Sequence, residues 1–125
     1  MIILGDELVP YEEVSSISSI DEIKTTKANS IVSFDFDEKL LKYCFENSLK
    51  CLVKVVSIKE AIYCNSLNAL YIASHYDMAK KIQKVADNYM FDSKNLCIIK
   101  NNNSFEDVAK SEIDGVIYSI LLDNK

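Results

Sequence analysis

Short apolar runs alternate with stretches of helical periodicity along most of this chain. The apolar runs are bounded by polar residues and are rich in β-branched and aromatic residues, which is typical of buried strands. They occupy residues 31–36, 51–56, 69–73, 96–99 and 116–120. The clearest helical stretch is 78–90, where apolar side chains recur on one face and lysines on the other. The alternation predicts parallel strands joined by crossover helices.

Helix starts are marked by a serine that is followed three residues later by an acidic residue. In this capping pattern the serine hydroxyl accepts a hydrogen bond from an orphan backbone N–H, and the acid reaches back to another. Asp37 is predicted to cap the helix after the run 31–36 in a similar way. The serine–acid pairs are Ser19/Glu22, Ser57/Glu60, Ser74/Asp77 and Ser104/Asp107.

The chain is long and apolar enough to form one α/β domain over residues 1–125. It has 125 residues, of which 49% are hydrophobic, so a substantial core is expected without disulfides or metals. The first expectation is an open, mostly parallel sheet of five or six strands with helices on both faces, of the flavodoxin-like type. The alternative is a half-barrel of βα units, because these units are too few for a closed eight-stranded barrel. Residues 1–30 are compatible with strands at 1–4 and 12–17 and a short helix at 19–26.

The composition excludes several classes of function. All 14 basic residues are lysine and the net charge is −5, which disfavours binding to nucleic acid or to anionic membranes. Gly5 and Gly115 are the only glycines, so no glycine-rich phosphate loop is present and no cofactor is predicted. The start of the chain has no basic region, and no apolar run approaches the roughly 20 residues of a membrane helix. We therefore expect a cytoplasmic protein.

Four cysteines occur among apolar neighbours without a C-x-x-C spacing, so neither a zinc ribbon nor a thioredoxin-type pair is predicted. They are interpreted as reduced, buried hydrophobic residues. Their positions are Cys44, Cys51, Cys64 and Cys97.

Candidate chemistry is expected where strands end, because ligands of open α/β sheets bind beyond the carboxyl ends of the strands. Asp35 and Asp37 are candidates to hold magnesium or to divide acid and base roles. His75 follows a strand at a helix start, where a neutral imidazole could act as a base. Lys54 lies inside an apolar strand, where it could be a nucleophile, pair with Asp35 or mark a sheet edge. The catalytic candidates are thus Asp35, His75 and Lys54, and the predicted ligand rim comprises Asp35, Asp37, Ser74, His75, Lys100 and Asn101.

Two short stretches resemble known families. Residues 31–37 (Ile-Val-Ser-Phe-Asp-Phe-Asp) resemble the first motif of haloacid-dehalogenase-type phosphatases, which implies metal-assisted phosphate chemistry at the two aspartates. That family follows the second aspartate with a residue that is often glycine and then with threonine or valine, whereas Glu38 and Lys39 follow here, and no distant aspartate pair completes the motif.

Residues 57–62 through 68–72 look like a helix-then-strand segment of phosphate-binding β/α barrels, with Asn68 where those barrels usually carry glycine. A similar βα packing unit is implied. Receiver domains are similar in length, but Ser74 and His75 stand where the phosphoacceptor aspartate would be needed, so phosphotransfer is not expected.

The apolar end of the chain suggests an interface. Tyr118, Ile120, Leu121 and Leu122 are predicted to support a homodimer if they are exposed. The alternative is that Leu121 and Leu122 fold over the core. The expected function is a non-enzymatic protein-interaction or regulatory module that binds itself or another protein. The second expectation is a small enzyme or ligand-binding domain that uses the strand-end rim for metal-assisted phosphate or acid/base chemistry. Convergence of Asp35, His75 and Lys100 in one cleft would favour the enzyme.

Overall fold

The computed structural model describes residues 1–122, which contain seven strands, six helices and a 3₁₀ turn at Asn102–Ser104. The strands are β1 (Ile2–Leu4), β2 (Val14–Ser16), β3 (Ile31–Asp35), β4 (Cys51–Lys54), β5 (Tyr71–Ser74), β6 (Lys94–Ile99) and β7 (Gly115–Tyr118). The helices are α1 (Ile20–Ile23), α2 (Glu38–Glu46), α3 (Ile58–Ser66), α4 (Tyr76–Asn88), α5 (Phe105–Lys110) and α6 (Ser119–Leu122).

All seven strands form one parallel sheet in the order β1-β7-β6-β5-β4-β3-β2. The first two strands of the chain therefore lie at opposite edges of the sheet. Because both point the same way, the connecting residues 5–13 must return from the carboxyl end of β1 to the amino end of β2. From β3 to β7, each helix carries the chain to the neighbouring strand.

Two helix starts use the predicted caps. The Asp37 carboxylate accepts hydrogen bonds from the amides of Lys39 (2.9 Å) and Leu40 (3.1 Å). The Ser57 hydroxyl accepts a hydrogen bond from the amide of Glu60 (3.2 Å). The Glu60 carboxylate in turn accepts one from the amide of Val56. These caps satisfy orphan N–H groups and fix where α2 and α3 begin. Both predictions are confirmed.

The other three predicted serine caps are wrong in detail. Ser19 and Ser104 stand at N-cap positions, but their side chains make no capping hydrogen bond. The N-cap of α4 is His75 rather than Ser74, because β5 continues through Ser74 before the helix begins. The Ser74 hydroxyl is buried and has no hydrogen-bond partner within residues 1–122.

The carboxyl ends of α2 to α5 share one conformation. The residue after each C-cap has a positive φ, a region that favours glycine, and the following amide donates to a carbonyl five residues earlier. At the end of α2, for example, the amide of Leu49 donates to the carbonyl of Cys44 at 2.9 Å. Asn68 adopts this conformation, and it stands where the β/α barrels that this segment resembles usually carry glycine. The residues with positive φ at these ends are Ser48 (52°), Asn68 (62°), Met90 (50°) and Glu112 (58°).

The two faces of the sheet are both buried, but against different partners. The outer face packs against α1 to α5, with side chains such as Phe34, Val53 and Val116 in two clusters. The inner face packs mainly against itself, together with Leu121 and Leu122 of α6. Its buried members come from strands spread across the sheet, and this shared cluster requires a concave inner face. They are Leu4, Ile31, Leu52, Ala73, Leu96, Ile98 and Ile117.

Contacts of α6 show how strongly the sheet curls. The hydroxyl of Ser16, on edge strand β2, lies 3.2 Å from the carbonyl oxygens of both Leu121 and Leu122. In a flat sheet of this order, β2 and β7 would be about 24 Å apart, at about 4.8 Å for each strand spacing. A helix of four residues rises only about 6 Å, so α6 reaches β2 because the sheet curls round.

The predicted α/β class with a parallel sheet is confirmed. Of the two arrangements left open by the sequence, the structure adopts the half-barrel. It has seven strands rather than five or six, because both stretches of the first 30 residues that were compatible with strands, 1–4 and 12–17, form edge strands of three residues each. Helices α1 to α5 lie on the outer face alone instead of on both faces. The concave face is filled by its own side chains, which leaves no room for a second helical layer.

Candidate functional site

A cavity of about 470 Å³ opens at the carboxyl ends of β2, β3 and β4. We call it the carboxyl-edge cavity. Phe36 contributes to its wall, and Leu122 of α6 lies at its margin. Its polar lining residues are Ser16, Ser18, Ser33, Asp35, Asp37 and Lys54, and its apolar lining residues include Ile17, Phe36, Leu40 and Leu122.

Strand register places four of the polar residues on the inner face. Ser16 pairs with Ser33 across β2 and β3, and Asp35 pairs with Lys54 across β3 and β4. Register-paired residues of parallel strands point to the same side of the sheet. The positions in register with Asp35 and Lys54 on the other strands carry no charge: they are Ala73, Leu96, Gly115 and Ile2. The row that contains Ser16 and Ser33 continues through Leu52 and Tyr71 to the exposed Lys94 at the start of β6. At the carboxyl ends of the described strands, the charged inner-face residues are therefore the two that line the carboxyl-edge cavity.

The two charged side chains of this patch do not form an ion pair. Within residues 1–122, the salt bridges, in which a charged nitrogen lies within 4.0 Å of a carboxylate oxygen, are Lys27–Glu13 and Lys50–Glu12, both on the surface. Lys54 is half-buried and Asp35 is exposed to the cavity. The sequence allowed an ion pair between Lys54 and Asp35. The structure places the two residues opposite each other on neighbouring strands, but they form no salt bridge.

Ser33 is the most buried polar residue of the patch, with 3% of its surface exposed. Its side chain lines the carboxyl-edge cavity, and a hydroxyl can both donate and accept a hydrogen bond. Ser33 therefore offers a donor and an acceptor to whatever occupies the cavity.

The predicted magnesium pair is incomplete as a metal site. Asp37 uses one carboxylate oxygen to cap α2. No group of three or more His, Cys, Asp or Glu side chains suited to a metal is found among residues 1–122. Magnesium and calcium need several oxygen ligands, so Asp35 and Asp37 alone do not make a protein-based metal centre.

The remaining predicted rim residues lie outside the cavity. His75 is exposed at the start of α4, and Lys100 is exposed after β6. Asn101 accepts a hydrogen bond from the amide of Asn103 (2.9 Å) and so caps the 3₁₀ turn. Ser74 is in register with Cys97, which belongs to an outer-face cluster, so the Ser74 side chain points to the outer face, away from the cavity. Asp35, His75 and Lys100 therefore do not converge in this cavity.

The serines of the cavity were missed by sequence reasoning. Ser33 interrupts an apolar run at an inward position, and that polar interruption is the signal that could have identified it. Ser16 gave no comparable signal, because β2 is only three residues long.

The apolar end of the chain folds over the core instead of continuing as a strand. Leu121 and Leu122 are half-buried against the inner cluster, whereas Ile120 is 71% exposed. The Tyr118 hydroxyl donates to the Asp6 carboxylate at 2.5 Å, which lowers the pKa of Asp6 and raises the pKa of Tyr118 to about 12. This hydrogen bond ties the start of the chain to the end of β7, next to α6.

A second cavity, of about 350 Å³, runs along the outer surface beside α2 and α3. We call it the α2–α3 groove. Phe45 and Tyr63 line it with 44% and 50% of their surfaces exposed, and Glu38, Lys42 and Glu46 supply its charges. Phe36 lines both this groove and the carboxyl-edge cavity.

All four cysteines are free and buried, which confirms their interpretation as small hydrophobic residues. Burial raises the pKa of Cys64 to about 12 and that of Cys97 to about 11. Because the thiolate is the reactive form, these thiols are unsuited to nucleophilic chemistry.

None of the helices within residues 1–122 is both long and apolar enough to cross a membrane. No protein-family model matches the chain, and comparison with curated proteins finds no significant relative. The residues of the carboxyl-edge cavity are therefore the basis for any functional assignment.

Proposed function

We propose that this protein is a small-ligand-binding domain that takes its ligand into the carboxyl-edge cavity. The observation that carries the proposal is the polar patch of Ser16, Ser33, Asp35 and Lys54 at the carboxyl ends of β2 to β4, where the positions in register with the two charges on other strands are uncharged. Protein ligand sites typically enclose about 300–1,000 Å³ and combine apolar walls with a few placed polar groups. The cavity of about 470 Å³ falls within this range of size, and its lining is more polar than is typical, with six polar and five apolar residues.

The position of the cavity supports the same proposal. In α/β sheets and β/α barrels, ligands bind where parallel strands end, because side chains of several neighbouring strands converge there. A purely structural inner face would be expected to carry apolar residues throughout, since unpaired polar groups weaken a core. The local exception on β2 to β4 is explained if these groups serve a ligand.

We propose binding rather than catalysis, in keeping with a regulatory module. The only histidine, His75, does not line the cavity. General acid–base catalysis needs a positioned proton donor or acceptor within reach of the reacting group; of the two aspartates considered for these roles, Asp37 already caps α2. A cytoplasmic location is also proposed, and it agrees with four free thiols, since disulfides are features of oxidising compartments.

The proposal is tested by NMR on the full-length, ¹⁵N-labelled chain with a library of small metabolites. We expect at least one compound to shift the amide signals of Ser16, Ser33 and Lys54. Ser33→Leu should abolish these shifts by filling the cavity, whereas the matched variant Ser66→Leu, on the exposed end of α3, should retain them. Shifts confined to other surfaces, or shifts that survive Ser33→Leu, would refute ligand binding in this cavity.

A second candidate function is self-association through the α2–α3 groove. Its apolar walls are exposed, and Lys42 lies between Glu38 and Glu46 on α2. In a two-fold arrangement the same surface meets itself, so Lys42 of one copy could face an acidic residue of the second. A second copy of this chain is thus a chemically complementary occupant.

Sedimentation at micromolar concentration distinguishes the two proposed interfaces. Phe45→Asp should convert a groove-mediated dimer to a monomer, while Ile120→Asp should leave it intact. The reverse result would assign the dimer to the end of the chain, and a monomeric wild-type protein would exclude both interfaces.

A further inference from the structure

We propose that the ligand of the carboxyl-edge cavity is an aliphatic zwitterion of the α-amino-acid type. Its ammonium group would bind Asp35 and its carboxylate would bind Lys54. This inference rests on the proposed ligand-binding function and adds the chemical class of the ligand.

The arrangement of the two charges is the first argument. Asp35 and Lys54 are register partners on neighbouring strands, and both line one cavity. The Lys54 Nζ atom nevertheless lies more than 4.0 Å from the carboxylate oxygens of Asp35. Because the two groups do not bind each other, the ammonium of Lys54 and the carboxylate of Asp35 are both available to bind a ligand. A ligand that carries both charges a few ångströms apart neutralises both side chains at once, and charge-assisted hydrogen bonds are the stronger kind.

Ligands with a single charge fit this lining less well. A phosphate or a simple carboxylate would be attracted by Lys54 but would meet the negative charges of Asp35 and Asp37, which also line the cavity. An organic cation would be attracted by Asp35 but would leave Lys54 uncompensated in a half-buried position. Like charges brought together in a partly desolvated site are unfavourable.

The walls define the remainder of the ligand. Ile17, Phe36, Leu40 and Leu122 provide apolar surface beside the polar patch. The Ser33 side chain also lines the cavity, and its hydroxyl can accept from an ammonium or donate to a carboxylate. A short aliphatic side chain would therefore lie against the wall while the charged end occupies the strand termini.

Three probes of nearly equal shape separate the charge classes. L-leucine is the zwitterion, 3-methylbutylamine lacks its carboxylate, and 4-methylpentanoate lacks its ammonium. With the full-length, ¹⁵N-labelled wild-type protein, we expect L-leucine to shift the amide signals of Ser33, Asp35 and Lys54 at concentrations at which the other two do not. This comparison needs no variant and so does not depend on the folding of a mutant.

Variants then assign the two charges. Lys54→Met and Asp35→Asn should each weaken L-leucine binding at least about tenfold, since a hydrogen bond to a charged group contributes on the order of 1.5–3 kcal/mol. The matched controls Lys50→Met and Asp107→Asn change exposed residues outside the cavity and should leave the affinity unchanged.

Each alternative result has a distinct meaning. If the amine binds as well as L-leucine and Lys54→Met strengthens binding, the ligand is a cation and the zwitterion proposal is wrong, while ligand binding stands. If the acid binds as well and Asp35→Asn strengthens binding, the ligand is an anion. If none of the three probes shifts these signals, the proposed class is overturned, and the metabolite screen decides ligand binding independently.

Discussion

Gly115 has no room for a side chain in the sheet. It lies on β7 opposite Ile2 of edge strand β1. A Cβ atom added at Gly115 would stand 2.4 Å from the carbonyl oxygen of Ile2 and 2.6 Å from its Cβ. Because the nearest atom belongs to the backbone, a side-chain rotation cannot relieve the clash. Gly115→Ala must therefore push β1 away from β7.

The expected cost can be bounded from both sides. Forcing one extra methyl into a packed core typically costs about 1–3 kcal/mol. The upper bound is complete detachment of β1, which would expose Leu4 (5% exposed in the structure) and the half-buried Ile2 and Ile3. At roughly 1.5–3 kcal/mol for a fully buried aliphatic side chain, that loss amounts to about 5 kcal/mol. We expect Gly115→Ala to lower the free energy of unfolding by about 2–4 kcal/mol.

Urea denaturation followed by circular dichroism measures this change. The comparator Ile2→Ala removes side-chain packing from β1 but leaves its backbone in place, so it should cost less than Gly115→Ala. A change below about 0.5 kcal/mol, the usual range of neutral surface substitutions, would show that β1 does not pack against β7 in this register.

Three further predictions concern other parts of the fold. Met90→Gly should raise the melting temperature and stabilise the protein by about 1 kcal/mol, because the exposed Met90 holds a left-handed conformation that costs an L-residue about 1–2 kcal/mol; a lower melting temperature would contradict this. Cysteine thiols should react with Ellman's reagent only after unfolding, since Cys64 and Cys97 are buried with raised pKa values; rapid labelling of the native protein would refute it. Tyr118→Phe should lower the melting temperature near neutral pH. Because the hydrogen bond from Tyr118 lowers the pKa of Asp6, its contribution is present above the carboxyl's unfolded pKa and is lost as the pH falls through the folded value. The difference in melting temperature between wild type and variant should vanish in acid, and a difference independent of pH would show that Asp6 is not the partner.

The α/β class could be predicted because buried parallel strands are apolar on both faces and alternate with amphipathic helices. The curl of the sheet could not. An apolar run such as 31–36 does not distinguish a face that packs against helices from a face that packs against other strands. The stretches 1–4 and 12–17 were compatible with strands, but the sequence did not decide whether both join the sheet, since β1 and β2 have only three residues each.

The candidate site could be predicted in part. Asp35, Asp37 and Lys54 were identified because polar residues near the ends of apolar strands tend to face a ligand, and the structure places all three in one cavity. His75 has a similar position in the sequence, but it follows β5, beyond the strands that line the cavity. The difference depends on strand order and curvature, which local sequence does not encode.

The curl that encloses the carboxyl-edge cavity is tested most directly by nuclear Overhauser effects between Ser16 and Leu122. The two residues lie 106 positions apart in the chain, and the Ser16 hydroxyl is 3.2 Å from the Leu122 carbonyl oxygen. In the half-barrel, protons of the two residues should give clear cross-peaks. Their absence, together with intact cross-peaks between β2 and β3, would mean that the sheet is open and that the cavity does not form.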